Sequence, residues 1–134
     1  MAENVPDNAL FVCFGAMSNV GMMTGLAAIE AVKQVEPGKA GIFCLGGLPT
    51  QAPTVLAKTQ ATKRIITVDG CALNCSRKIV EQAGFTPTRT INLVTECGIQ
   101  KKPSSQFDPQ EMQPAIVAIV HAINEDNKDV EKKR

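Results

Sequence analysis

The chain has 134 residues, of which 44% are hydrophobic and 20% charged, the proportions of one ordinary globular domain. A formal net charge of +1, no Trp, no Tyr and only five Phe leave little with which to bind phosphates or stack bases, so no nucleic-acid partner is expected. No run of 18 apolar residues occurs and the N-terminal residues are polar, so neither a membrane span nor a secretory leader is expected.

The first apolar run is Ala9–Phe14, which predicts a strand. A turn-rich segment, Gly15 to Gly21, leads into a helix ending near Val35 before Pro37-Gly38. Ser18 or Asn19 is its expected cap. Ala40–Leu45 is the second predicted strand, closed by Gly46-Gly47, and a second helix is expected from Pro49 or Thr50 to about Thr62. Arg64–Val68 predicts the third strand, Leu73–Ala83 the third helix and Thr88–Val94 the fourth strand. After a loop over Thr95–Phe107, Asp108, Pro109 and Glu111 mark the start of a last helix. Its apolar face is Met112, Ile116, Ile119, Val120 and Ile123. The single domain is expected over residues 1–124, with Glu125–Arg134 a charged, solvated tail.

Strands alternating with helices predict a four-stranded parallel sheet in a doubly wound, three-layer α/β/α sandwich of the flavodoxin or Rossmann kind. The expected strand order is 2-1-3-4, which puts a switch point between strands 1 and 3, where ligands bind beyond the carboxyl ends.

Five cysteines and one histidine stand out in this neutral composition. A reducing, cytoplasmic setting is expected, where cysteines serve as ligands or redox groups more often than as disulfides. Cys13 and Cys44 fall near the carboxyl ends of predicted strands 1 and 2. Cys71 and Cys75 follow strand 3, and Cys97 follows strand 4. All five therefore converge on one rim. Thiolates suit Zn²⁺, and less well iron or an iron–sulfur cluster. Cys71 and Cys75, at C-x₃-C spacing, can share one helix face.

Asp69-Gly70-Cys71, with Cys75 four residues on, resembles the DGC-domain family. The segment Cys13-x-Gly15-x-x-Ser18-Asn19-x-Gly21 is similar to that family's first motif, and Cys44 falls where a second-strand cysteine is expected. The resemblance covers roughly residues 10 to 100. It implies a metal site, inferred to hold zinc, on Cys13, Cys44, Cys71 and Cys75, and implies little for Cys97. A role in metal handling, sensing or redox chemistry is expected.

Two other chemistries fit the same residues. Cys71 to Arg77 satisfies C-x₅-R, the spacing of cysteine-dependent phosphatases and thiol arsenate reductases, with Asp69 or Asp108 as the acid. A thiol redox protein is the other. A small anion is a further candidate partner at Ser18 and Asn19, where a helix begins. His121 is expected to be structural or on the surface. Met17, Met22 and Met23 are expected to fill the core, although a thioether can hold Cu(I). Lys101 and Lys102, with Pro103, are expected in a solvated loop, with the edge of the site as the alternative.

Overall fold

The computed structural model describes residues 5–132, with side chains through residue 125. Its sheet has four parallel strands in the order β2-β1-β3-β4, as the alternation predicts. These are β1 (Asn8–Val12), β2 (Ala40–Ile42), β3 (Arg64–Asp69) and β4 (Arg89–Asn92). Between and after them run α1 (Asn19–Gln34), α2 (Pro53–Ala61), α3 (Cys75–Gln82) and α4 (Gln113–Lys132). Among the described residues no helix is long and apolar enough to cross a membrane.

Every residue of β1 and β3 is buried, because these central strands are covered on both faces. On one face Leu10, Val12, Ile66, Val68 and Ile91 meet α1 and α4. Ala27, Ala28 and Ala31 are fully buried there, small enough for α1 to lie close against α4. On the other face Ala9, Phe11 and Ile65 meet Leu48 and Val80, and Phe11 makes an edge contact with Phe43 at 5.7 Å.

Several boundaries differ from the sequence expectation, each for a local reason. The second helix begins at Pro53, not Pro49 or Thr50. A 3₁₀ turn over Leu45–Gly47 and a left-handed Gln51 (φ 59°) intervene, and Pro53 then supplies the first helical residue. The third helix begins at Cys75, not Leu73, because Asn74 is left-handed (φ 53°, ψ 50°). Asp108 does cap, its carboxylate accepting from the Gln110 N–H, but the turn it caps is 3₁₀ (Pro109–Met112). The α-helix proper starts at Gln113, and its backbone continues through Lys132 into the segment expected to be a tail. The side chains from residue 126 onward lie outside the described residues.

At the amino edge of the sheet a buried Arg64 ties the layers together. Its Nη1 donates to Asn8 Oδ1 and to the Ala122 carbonyl, both at 2.9 Å, while Asn8 donates to the Lys39 carbonyl at 2.9 Å. Arg64→Ala strands these acceptors and leaves a void. It is expected to cost roughly 2–3 kcal/mol in urea unfolding, with the thiol chemistry at the opposite edge unchanged. An unaltered midpoint would refute this role.

Candidate functional site: a thiol cleft

The register decides which cysteines meet. Val12 pairs with Val68, and Asp69 with Asn92. Cys13 therefore leaves the sheet beside Asp69, two residues before Cys71, and its N–H donates to the Val68 carbonyl at 3.0 Å. Strand β2 separates earlier, with Ile42 opposite Leu10. Phe43 donates one more bond to the Leu10 carbonyl at 2.8 Å, and the chain then turns away.

Cys13, Cys71 and Cys75 line one cleft of about 290 Å³, together with Met17, Leu73 and Lys101. Lys101 thus stands at the edge of the site and not simply in a solvated loop. Cys44 is exposed and lines a different groove, of about 260 Å³, with Phe43, Val55 and Lys58. Cys97 is half-buried against the α1/α4 core, its sulfur 4.0 Å from the Pro114 carbonyl. The cysteines thus share an edge but divide into a group of three and two separate thiols. Among the described residues no three His, Cys, Asp or Glu side chains already stand in a metal-holding arrangement.

Each wall of the cleft has its own support. After Cys13 the backbone passes through a left-handed Phe14 (φ 52°), whose N–H donates to Thr24 Oγ1 at 3.0 Å. Thr24 in turn donates to the Gly21 carbonyl at 2.6 Å. The Phe14 ring occupies the space a side chain at Gly25 would need. This bend lets the Gly15 N–H donate to the Cys13 sulfur. Ser18 caps α1 by accepting from the Gly21 N–H at 3.0 Å.

The DGC tripeptide reads as three separate devices. Asp69 is buried, and its carboxylate caps α3: Oδ1 accepts from the Ser76 N–H at 2.7 Å and Oδ2 from the Arg77 N–H at 3.1 Å. Gly70 lies against the backbone of Val20 and Gly21 at the start of α1. Cys71 presents its thiol to the cleft, while its carbonyl accepts from Asn92 Nδ2 at 2.7 Å. Asn92 Nδ2 also donates to Asn74 Oδ1 at 2.8 Å, which holds the left-handed turn before Cys75. Asn19 does the same for the opposite loop, bonding the Gln100 carbonyl and the Lys102 N–H. Asn19 and Ser18 thus spend their polar groups inside the protein, on the loop and the cap.

Burial pushes the Cys13 thiol above its ordinary pKa of 9.0. The Gly15 hydrogen bond opposes this, and the nearby Asp69, Cys75 and Cys71 add to it. Burial, then Glu96, raises Cys97 likewise, with Arg89 opposing. At a given pH both therefore carry less thiolate. In chelator-treated protein at pH 8, exposed Cys44 and Cys75 are expected to alkylate first and Cys13 and Cys97 last. The gap narrows as the pH rises past 9. Mapping by mass spectrometry checks this, and equal labelling of Cys13 and Cys75 at pH 8 would contradict it.

The C-x₅-R segment does not form an oxyanion cradle. The N–H groups of Ser76 and Arg77 are taken by Asp69, and the Arg77 guanidinium lies 3.3 Å from Glu81 on the exposed helix surface. His121 lies on the outer side of α4, 3.7 Å from Glu125. Met23 is fully buried as core, whereas Met17 is 95% exposed at the cleft.

The fold and the cleft define a small doubly wound α/β protein with thiols grouped at its switch point. The DGC-domain family model matches residues 9–119, and the chain belongs to that family. It is also similar to the "Anaerobic and virulence modulator AnvM" of Pseudomonas aeruginosa, 25% identical over 122 residues, which cover 89% of each chain. No solved structure matches it. Sequence reasoning missed Asn92, and it missed the role of Asn19 as a clamp on the loop. Their partners lie 18 to 83 residues away, so no local pattern reveals them.

Proposed function

We propose that the chain is a regulatory metal-binding protein whose cleft holds one Zn²⁺ through Cys13, Cys71 and Cys75. The observation that carries this reading is the convergence of three thiols on one cleft, with Cys71 in the loop before α3 held by Asn92 and Cys75 in the first turn of α3 capped by Asp69. Thiolate is the donor that borderline and soft metals favour, so the donor set fits zinc better than calcium or magnesium. The Gly15 N–H is placed to stabilise charge on Cys13 once its proton is displaced. Bound zinc would keep these thiols deprotonated and join the loop after β1 to the loop after β3.

Cys44 is the fourth cysteine of the family pattern, and its place in a separate groove favours a three-thiolate site over a closed four-thiolate one. A modulator among the relatives supports a regulatory role over turnover.

Zinc titration of single variants tests the assignment. Cys13→Ser, Cys71→Ser and Cys75→Ser should each weaken binding at least tenfold, whereas Cys44→Ser and Cys97→Ser should retain it. Equal loss in Cys44→Ser would replace the three-thiolate site by a four-thiolate one.

A further inference from the structure

The thiol cleft has features that a metal ion alone does not use. Lys101 is the one charged side chain among its lining residues besides the thiols. It makes no ion pair among the described residues. The nearby Asp69 carboxylate does not offset it at the surface, being buried and capped on both oxygens by α3. Met17 and Leu73 form apolar walls and are 95% and 59% exposed. A cation, two apolar walls and grouped thiols suit a small organic molecule that carries both sulfur and negative charge.

We infer that the metal-free cleft takes a low-molecular-weight anionic disulfide and reduces it by thiol–disulfide exchange, with Lys101 selecting the anion. The inference rests on the same cleft as the zinc reading. Cys75 is the attacking thiol, because it is the exposed one of the three. Its thiolate attacks one sulfur of R–S–S–R. The ligand's S–S bond breaks, a Cys75–S–S–R bond forms, and RS⁻ leaves and takes a proton from solvent.

Cys71 resolves the adduct. It stands across a single turn from Cys75, closed by the Asn74 N–H on the Cys71 carbonyl at 3.2 Å. Its thiol gives its proton to solvent and attacks the Cys75 sulfur, which expels the second RS⁻. Two protein thiols lose two electrons to become one disulfide, and one R–S–S–R gains two to become two RSH. Cys13, half-buried and bonded to Gly15, is not required.

The test uses the chelator-treated full chain with oxidised glutathione as the anionic probe and cystamine as the cationic one. Each rate is divided by that of the same probe with a free small thiol. The wild type should favour oxidised glutathione, and Lys101→Glu should lower that preference roughly fivefold or more. Cys71→Ser should stop at a mixed disulfide on Cys75, Cys75→Ser should lose the fast reaction, and Cys13→Ser should complete it. Equal normalised rates for the two probes in wild type, or a first adduct on another cysteine, would overturn the inference. Zinc titration of the wild type separates the two readings. Zinc bound by a protein whose metal-free form shows equal normalised rates for the two probes removes only the exchange reaction. Charge-selective exchange in a protein that binds no zinc removes only the metal site.

Discussion

Gly70→Ala is expected to destabilise the protein by about 3 kcal/mol and to disorganise the thiol cleft. A Cβ at this position would stand 2.7 Å from the carbonyl carbon of Val20 and 2.8 Å from the Gly21 nitrogen. Both are backbone atoms of the first turn of α1, which no rotamer change can move aside. Relief requires the loop after β3 to part from α1, and these two elements carry Cys71 and Cys13. Gly21→Ala should act similarly, since its side chain would collide with the Gly15 carbonyl. Gly46→Ala is the control: nothing lies within 4 Å of its added carbon, and its φ is not positive. Thermal unfolding should show a fall of roughly 10 °C for Gly70→Ala and little change for Gly46→Ala. Equal midpoints would mean that the close approach of loop and helix is not needed.

Asp69→Ala should have an effect of similar size, by a different route. The carboxylate satisfies two N–H groups at the start of α3, those of Ser76 and Arg77. Removing it strands the buried Ser76 N–H, frees the part-buried Arg77 N–H and releases the first turn, on which Cys75 sits. A lost cap and a lost charge-assisted bond together should cost about 3 kcal/mol. Asp69→Asn should fall between, because its amide oxygen can accept from one N–H while its NH₂ opposes the other. Urea unfolding gives the order wild type, Asp69→Asn, Asp69→Ala. If Asp69→Asn were as damaged as Asp69→Ala, the two-acceptor cap would be the wrong explanation. Zinc capture should weaken in the same order, since the cap fixes where Cys75 begins the helix.

Much of this architecture is legible in the sequence because it depends on local pattern. Apolar runs such as Arg64–Val68, separated by helix-length segments, specify a covered parallel sheet, and the strand order follows from a switch point between β1 and β3. The same reasoning puts all five cysteines on the carboxyl edge. It does not reveal how far along the sheet each strand runs. Strand β2 ends at Ile42, so Cys44 enters the 3₁₀ turn over Leu45–Gly47 and reaches another groove. The turn after β4 carries Cys97 to the α1/α4 side. The cap by Asp69 is also hidden, because its acceptors serve donors seven and eight residues away across a loop. A helix boundary drawn from periodicity alone therefore starts too early, at Leu73. Asn74 marks the true start only through its left-handed backbone, which Asn adopts more readily than most residues.

The tripeptide at the end of β3 illustrates how little of a motif need be chemical. Of Asp69, Gly70 and Cys71, only the cysteine reaches the cleft with its side chain. The aspartate sets the helix and the glycine sets the spacing to α1. Lys101, by contrast, comes from a loop that Asn19 clamps from α1 through the flanking Gln100 and Lys102. Charge, thiols and apolar walls are thus brought together by elements that are distant in sequence.

The most direct test of the three-thiol site is elemental analysis of anaerobically purified protein, paired with a count of reactive thiols in the native state. A zinc site on Cys13, Cys71 and Cys75 predicts about one zinc per chain and two reactive thiols, Cys44 and Cys97, rising to five when a chelator removes the metal. A folded protein that cannot be loaded with zinc, and in which Cys13, Cys71 and Cys75 react without chelator, would contradict it.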